Sequence, residues 1–329
     1  MRIGYDATPA AVQHAGVGRY ARELLRALLG VGLAERFLLQ VAASQAQVDQ
    51  LLSDLPPGAW RDARRLPVSA RVTQIIWQRA RVPVAVERIL GPLHVFHATD
   101  FVAPPARAPI VTTIHDVSYL LVPELGHPDL VAYLRDAVPR TLQRAAAIIT
   151  VSSSVAADLV AAYPAVQHRV VAIPNGVNVP DQVYGERANR PTILLVGTIE
   201  PRKNHVFAFH VLQELRHYLP DVRLIVAGRI GWQSEAIVAE LRRLVADGLA
   251  VFIEQPDDAC MARLYQRAHV VIVPSHYEGF GLPVLEAQAH GAPVVASDIP
   301  ALREAGGQVA RYVAPGDVTG FVAELLHLL

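Results

Sequence analysis

Short apolar runs rich in branched residues recur along the first half of the chain, and the segments between them have the periodicity of amphipathic helices. The runs cover residues 37–42, 95–98, 110–114, 147–151 and 170–173. Continuous apolar strands are typical of a parallel sheet that helices cover on both faces. The pattern therefore predicts a Rossmann-like α/β domain in this half.

The same alternation starts again after a break in the pattern. Residues 174–181 are rich in Pro and Asn, and residues 185–191 also lack apolar periodicity, which predicts an interdomain hinge. Further apolar runs follow at 192–197, 223–228, 250–253, 270–274 and 293–297. A chain of 329 residues suits two domains. We predict two doubly wound parallel-sheet domains, 1–183 and 184–329, facing a shared cleft at the carboxyl ends of their strands.

Composition narrows the classes of partner and cofactor. The chain has 30 basic and 30 acidic residues and a pI near 7.3, so no overall charge would attract nucleic acid. A single cysteine, Cys260, excludes a disulfide framework. The 13 histidines show no metal-ligand spacing, and the sequence predicts no metal site.

The amino-terminal sequence lacks the basic and apolar regions of a signal peptide. Although 52% of the residues are hydrophobic, no apolar stretch approaches the length of about 18 residues that spans a membrane. We therefore expect a cytoplasmic protein. The segment from Trp60 to Arg81 carries six arginines and two tryptophans and predicts peripheral contact with the inner face of a membrane. The alternative is that these arginines cover a helical face.

Lys203 is the only lysine of the chain, against 29 arginines. It follows Arg202, directly after the predicted strand 192–197, which ends at Gly197. A forked guanidinium beside a compact ammonium group suits the oxygens of a diphosphate. The alternative is an ordinary solvated Arg-Lys pair at a strand end.

The segment 274–286 leads from a strand end, through the loop Gly279-Phe280-Gly281-Leu282, into a helix that Pro283 can start. Free amide groups at such a helix start favour an anion, and glycines allow close backbone approach. We expect Glu286 in the first helical turn, where its carboxylate can bind a ribose diol, and Glu278 facing the group beyond the phosphates. The alternative is that Glu286 complements the helix dipole while Glu278 is solvated.

Two further motifs lie in the first half. Gly16 and Gly18 precede Arg19 and a predicted helix over 20–29, a weak signal for a phosphate loop. The dinucleotide fingerprint is incomplete at its last position, three residues after Gly18, where this sequence has Ala21. This argues against a nicotinamide enzyme. His115 and Asp116 directly follow the predicted strand 110–114. Asp116 can orient His115, bind acceptor hydroxyls or cap a turn.

Glu278 and Glu286 are separated by seven residues. This spacing, together with residues 197–204, resembles the motifs of the retaining glycosyltransferase family 4 (glycosyl transferases group 1), in a mannosyltransferase-like form. The resemblance implies the GT-B fold. It implies that Arg202 and Lys203 hold a donor diphosphate, that Glu286 binds the nucleotide ribose, and that Glu278 contacts the transferred sugar. It also implies that His115 lies beside the reacting sugar. It further implies that the loop containing Gly16, Gly18 and Arg19 closes over the donor phosphates and the acceptor.

The resemblance implies a metal-independent retaining glycosyltransferase with no cofactor beyond its nucleotide-sugar co-substrate. It also implies a reaction that moves mannose from GDP-mannose onto a saccharide or polyprenol-linked saccharide in cell envelope polysaccharide synthesis. His115, Glu278, Arg202 and Lys203 are the expected catalytic residues. The alternatives are a UDP-sugar donor, a nucleotide-sugar epimerase and a non-catalytic sugar-binding protein.

Two departures from the family pattern stand out. Glu254 occupies a position after a strand where family members usually have glycine near the base, so the base identity is open. The sequence ends at Leu329, inside a predicted helix over 318–329, without the terminal crossover helix that the resemblance implies. We expect that difference to loosen domain closure before it affects the donor site.

Overall fold

The structure is a computed structural model that describes residues 1–13, 16–33, 37–56, 63–66, 68–80, 82–180 and 187–329. It separates into two compact units. Unit 1 comprises Met1–Val117, Ala132–Val151 and Val155–Ile173. Unit 2 comprises Ser118–Val131, Ser152–Ser154 and Pro174–Leu329. Two short segments of the first half of the sequence thus group with unit 2.

Each unit contains one parallel sheet. The seven-stranded sheet of unit 1 has the order β3-β2-β1-β4-β5-β6-β7. Its strands are β1 Ile3–Asp6, β2 Phe37–Val41, β3 Ala63–Arg65, β4 Val95–Ala98, β5 Ile110–Ile114, β6 Ala145–Thr150 and β7 Val170–Ala172. The six-stranded sheet of unit 2 has the order β10-β9-β8-β11-β12-β13. Its strands are β8 Thr192–Val196, β9 Arg223–Gly228, β10 Ala250–Glu254, β11 Val270–Val273, β12 Val294–Ser297 and β13 Arg311–Val313.

Helices connect most consecutive strands, whereas a loop without a helix joins β4 to β5. The helices are α1 Thr8–Val12, α2 Val17–Leu28, α3 Gln45–Ser53, α4 Ala70–Gln74, α5 Glu87–Leu90, α6 Ser118–Leu121, α7 Pro128–Arg144, α8 Ser153–Ala162, α9 His205–Leu215, α10 Glu235–Ala246, α11 Asp258–Arg267, α12 Leu282–Ala289, α13 Pro300–Gly306 and α14 Val318–Leu328. Each of the ten predicted apolar runs overlaps one strand, with ends that differ by at most two residues. The helix predicted over 20–29 begins three residues earlier, at Val17.

The central strands β8, β11 and β12 are buried because helices cover both faces of the sheet, whereas the edge strands β7 and β10 are partly exposed. All four residues of β11 and all four of β12 are buried. In unit 2 the core continues from the sheet into α9 and α14, where the rings of Phe207 and Phe321 meet edge to face at 5.1 Å between centroids. This two-sided burial explains why these strands show no alternation of apolar and polar residues.

Both sheets reverse their winding direction at one place. In unit 1 the chain proceeds outward from β1 through β2 to β3, then returns to β4 on the other side of β1. In unit 2 it proceeds from β8 to β10, then returns to β11 on the other side of β8. Ligands of open α/β sheets bind beyond the carboxyl ends of the strands at such switch points. The β1/β4 and β8/β11 strand ends are therefore where a site is expected.

The arginine-rich segment lies partly outside the described residues, since these do not include Trp60, Arg61 and Arg81. Trp77 is described: its indole Nε1 donates to the Val84 carbonyl at 3.0 Å, and its ring packs against the core of unit 1. Throughout the described part of the chain, every helix is too short or too polar to cross a membrane.

Candidate functional site

Two loops meet at the switch point of unit 2. The loop after β8 passes Gly197, whose φ of 146° favours glycine, and makes a 3-10 turn over Pro201–Lys203. The loop after β11 joins it through two hydrogen bonds: the His276 amide donates to the Arg202 carbonyl at 3.0 Å, and Asn204 Nδ2 donates to the Pro274 carbonyl at 3.1 Å. Because β8 and β11 are neighbours, these contacts fix the two predicted motifs side by side.

An ion-pair cluster, comprising Glu200, Arg202, Lys203, Ser275 and Glu278, occupies this junction. The carboxylate of Glu278 contacts Lys203 Nζ at 2.6 Å and Arg202 Nη1 at 3.2 Å. Ser275 Oγ also donates to it at 2.7 Å. Arg202 Nη2 contacts Glu200 Oε1 at 2.7 Å. Arg202 and Lys203, which precede Glu278 by 76 and 75 residues in the sequence, thus lie beside it in the structure.

The two carboxylates of the ion-pair cluster differ in their pKa shifts. Burial alone would raise the pKa of Glu278, but Lys203 and Arg202 lower it to about 2. Burial raises the pKa of Glu200, and the opposing effect of Arg202 and Lys203 is smaller. Glu278 is therefore ionised at neutral pH and balances part of the positive charge around it.

The helix α12 begins after Gly281, whose φ is 109°. A Cβ at Gly281 would also lie 2.6 Å from Leu302 Cδ2, so both conformation and space require glycine there. Phe280 before it is buried, and Leu282 is the first helical residue. These residues form the helix start to which the sequence assigns phosphate binding, and that role stays a prediction.

Glu286 is 6% exposed and lies in the second turn of α12, not in the first turn as expected. The expectation was wrong because the helix begins at Leu282, four residues before it. Its Oε2 accepts a hydrogen bond from the Tyr265 hydroxyl of α11 at 2.8 Å. The ring of Tyr265 stacks on His290 with centroids 5.4 Å apart. Tyr265 therefore holds the carboxylate that the sequence assigns to a ribose.

A second cluster lies at the switch point of unit 1. This aspartate–histidine cluster comprises Asp6, Gln13, His97, Asp100, Thr113 and His115. His97 Nε2 lies 2.9 Å from Thr113 Oγ1. Gln13 Nε2 donates to Asp100 Oδ2 at 3.0 Å. The His115 Nε2 atom lies 2.7 Å from the Thr99 carbonyl oxygen, which only accepts, so Nε2 carries the proton.

Burial dominates the electrostatics of this cluster. It raises the pKa of Asp6 to about 6 and lowers that of His97 to about 4. Burial also raises the pKa of Asp100, although His115 acts in the opposite direction. For His115 burial lowers the pKa, and Asp100 and Asp116 offset this in part. At this strand end, burial therefore favours the neutral form of the imidazoles and disfavours the ionised form of the carboxylates.

The glycine motif of the amino-terminal half has a structural requirement of its own. Gly16 has a φ of 55°, and a Cβ at Gly18 would lie 2.0 Å from the Gln13 carbonyl oxygen. Gly18 thus permits close approach of the chain around Gln13, and Arg19 is half-buried in the first turn of α2. The predicted phosphate and acceptor roles of these residues stay predictions.

Several residues of the two clusters were not predicted. Glu200 and Ser275 flank the predicted motifs directly. Because both lie just beyond a predicted strand, β8 or β11, the sequence could have indicated them. Asp6 is the last residue of β1, and Asp100 follows β4 by two residues. Their approach depends on β1 and β4 being neighbours, which the sequence pattern does not reveal.

Within the described residues, no group of three or more His, Cys, Asp or Glu side chains is arranged to hold a metal ion. The expectation of a metal-independent reaction stays a prediction.

Several solved structures are similar to this chain over nearly its whole length. The structure of Anabaena Alr3699/HepE in complex with UDP and glucose gives a TM-score of 0.72 at 19% identity, covering 99% of this chain and 89% of that one. Sucrose-phosphate synthase from Thermosynechococcus elongatus gives 0.72 at 17% identity, with the same coverage. The two parallel sheets are those of the GT-B fold, as predicted.

Two family models cover most of the sequence: Glycosyltransferase Family 4 matches residues 14–180, and Glycosyl transferases group 1 matches residues 190–329. The chain belongs to glycosyltransferase family 4 and is a sugar-transferring enzyme. It is 28% identical to O-antigen chain mannosyltransferase B of Escherichia coli, over 100% of this chain and 91% of that protein. It is 34% identical over 145 residues to the serotype-specific mannosyltransferase WbdA of Escherichia coli, which covers 43% of this chain and 18% of that protein.

Proposed function

We propose that the protein is a retaining, metal-independent transferase that moves mannose from GDP-mannose onto a hydroxyl of a saccharide or lipid-linked saccharide. The product would serve in cell envelope polysaccharide synthesis. The names of two similar Escherichia coli proteins, both mannosyltransferases and one acting on O-antigen chains, support this choice of sugar and product.

One observation carries the proposal: the only lysine of the chain and its neighbour Arg202 lie against Glu278 at the switch point of unit 2. Lysine retains two N–H groups beyond its bond to Glu278, and arginine has five in all. Both cations can therefore bind phosphate oxygens while still paired. The amides at the start of α12 add further donors for the same anion.

The chemistry follows from this arrangement. Arg202, Lys203 and the helix amides stabilise the charge that develops on the departing nucleoside diphosphate. The acceptor hydroxyl attacks the anomeric carbon from the face that the diphosphate leaves, and a phosphate oxygen takes its proton. The new glycosidic bond forms as the bond to the phosphate breaks, with retention at the anomeric carbon. Glu278, which is ionised at neutral pH, stabilises positive charge on the sugar.

A UDP-sugar is the second candidate donor. The similar Anabaena structure contains UDP and glucose, which supports this alternative. Glu254, at the end of β10, occupies the position near which the family resemblance places the base. The base is therefore best decided by experiment.

Thermal unfolding in saturating GDP, UDP or ADP tests the proposal. A ligand at 100 times its Kd adds about 2.7 kcal/mol to the free energy of unfolding. We expect GDP to stabilise the wild type and not Lys203→Ala. Arg243→Ala, at an exposed position of α10, is the matched control and should respond like the wild type. Stabilisation by UDP alone would select the second candidate, and no stabilisation by any nucleotide would reject the donor site.

Transfer is then measured with GDP-mannose and octyl α-mannoside by the gain of one hexose in the mass spectrum. Retention is read from the anomeric coupling of the product by NMR. Conversion of a UDP-N-acetylhexosamine to its epimer without acceptor would instead identify an epimerase.

A further inference from the structure

Few contacts compensate the carboxylate of Asp100 for the hydration that it loses on burial. Gln13 Nε2 donates to Oδ2 at 3.0 Å, and among the described residues this is the only hydrogen bond to that carboxylate. None of the ion pairs between described residues includes Asp100. A carboxylate offers about four acceptor positions, so most of those of Asp100 accept no hydrogen bond from a described residue.

The backbone holds Asp100 in a defined place. Thr99 Oγ1 donates to the Asp6 carbonyl at 2.8 Å, which ties the end of β4 to the end of β1. Phe101 has a φ of 51°, an unfavourable value for a bulky residue, and its amide donates to the Thr113 carbonyl at 3.0 Å. Strained backbone of this kind persists where the surrounding structure holds it, and it is concentrated at functional sites.

His115 lies against the same turn. Its ring is fixed by the Thr99 carbonyl at Nε2 and by edge-on contacts with Tyr20 and Phe101, at 4.8 and 5.5 Å between centroids. The charge of Asp100 acts on this imidazole, so the two side chains are near each other. If His115 lies beside the reacting sugar, Asp100 does too.

We propose that Asp100 binds a hydroxyl group of the acceptor saccharide, at the switch point between β1 and β4. The assignment rests on the proposed transferase function. A neutral polyol suits this place because its O–H groups donate to the open carboxylate oxygens, whereas an anionic group would meet the charges of Asp6 and Asp100. Gln13 orients the carboxylate, and Gly18 allows Gln13 its position.

The test compares Asp100→Asn with Asp49→Asn in transfer from GDP-mannose, or from the UDP-sugar if UDP is bound, to octyl α-mannoside. Asp49 is a matched control because it also accepts from a glutamine, Gln45 Nε2 at 2.8 Å, but on the exposed surface of α3. We expect Asp100→Asn to raise the KM for the acceptor about 10- to 100-fold, the range for a lost hydrogen bond to a charged group. The KM for the donor and the nucleotide-induced thermal shift should stay unchanged. Asp49→Asn should match the wild type throughout.

The outcomes separate the two proposals. Equal acceptor KM values for Asp100→Asn and Asp49→Asn would overturn the assignment while leaving the transferase function standing. Parallel loss of donor and acceptor binding would overturn it as well, because it would indicate a structural role. Failure of the wild type to transfer to octyl α-mannoside, mannobiose and octyl α-glucoside would reject the proposed function, on which the assignment rests. Asp100→Glu, which retains the carboxylate, should recover part of the acceptor affinity.

Discussion

The two switch points place carboxylates at corresponding positions but give them different surroundings. At the β8/β11 ends, Glu278 contacts Lys203, Arg202 and Ser275, and its pKa is lowered to about 2. At the β1/β4 ends, Asp6 and Asp100 form no ion pair with a described residue, and burial raises both pKa values. These differences agree with the anion-binding site that we propose for unit 2 and with the hydroxyl-binding site that we propose for unit 1. The identity of the neighbouring side chains makes this difference.

Among the tests of that contrast, we expect the replacement of Glu278 by Gln to have the largest effect. A pKa lowered from an ordinary 4.5 to about 2 corresponds to a stabilisation of about 3 kcal/mol at neutral pH. This contribution is complete above pH 4.5 and is lost as the pH falls toward 2. We expect Glu278→Gln to lower the free energy of unfolding at pH 7 by about 2–3 kcal/mol, since two cations lose a partner. Glu214→Gln, exposed on α9, is the control for calorimetry. A stability equal to that of the control would mean that the ion pairs contribute nothing.

Replacement of Gly18 by Ala examines the other side of the comparison. A Cβ there would lie 2.0 Å from the Gln13 carbonyl oxygen, a backbone atom, so the chain must shift. We expect a loss of about 1–3 kcal/mol in stability, the usual cost of overpacking, together with a higher KM for the acceptor. Gly30→Ala is the control, because no atom lies within 4 Å of its added Cβ. Unchanged unfolding and kinetics in Gly18→Ala would contradict the close approach.

The sequence pattern predicted the larger part of the fold and of the donor side. Buried parallel strands give continuous apolar runs, so strands such as Val95–Ala98 and Ile110–Ile114 could be located from hydrophobicity alone. The short edge strands β3 and β13 could not, because three residues with polar neighbours carry no such signal. Lys203 and Glu278 were identifiable because each lies in a local motif.

The aspartate–histidine cluster was harder to predict for a physical reason. Gln13 and Asp100 are 87 residues apart, and only the order of strands in the sheet brings them together. Tyr265 was missed for a related reason, since its partner Glu286 is on the next helix rather than the same one. Local motifs reveal groups that bind a ligand, whereas the residues that orient those groups depend on tertiary contacts.

Asp6 offers a pH-dependent test in which unit 1 behaves oppositely to unit 2. Burial raises its pKa from 3.8 to about 6, so the folded state holds the proton more tightly than the unfolded state. The resulting contribution to stability is complete below about pH 3.8 and is lost as the pH rises through 6. We expect Asp6→Asn to be more stable than the wild type by about 1–2 kcal/mol at pH 7, with no gain at pH 4. Unfolding measured at both pH values checks this, and equal gains at the two would indicate a packing effect instead.

Tyr265→Phe gives the smallest expected effect and sharpens the donor side of the comparison. The substitution removes only the hydroxyl that donates to Glu286 Oε2 at 2.8 Å. Glu286 would stay buried with one hydrogen bond fewer, and the carboxylate would be less well oriented toward a ribose diol. We expect the Kd for the nucleoside diphosphate to rise about 3- to 10-fold, measured by titration calorimetry. Tyr312→Phe is the matched control, because that hydroxyl donates to the Gly307 carbonyl at 2.8 Å in the same unit. If both variants bind the nucleotide as the wild type does, Glu286 needs no orienting partner, and its proposed contact with the ribose loses the support that Tyr265 gives it.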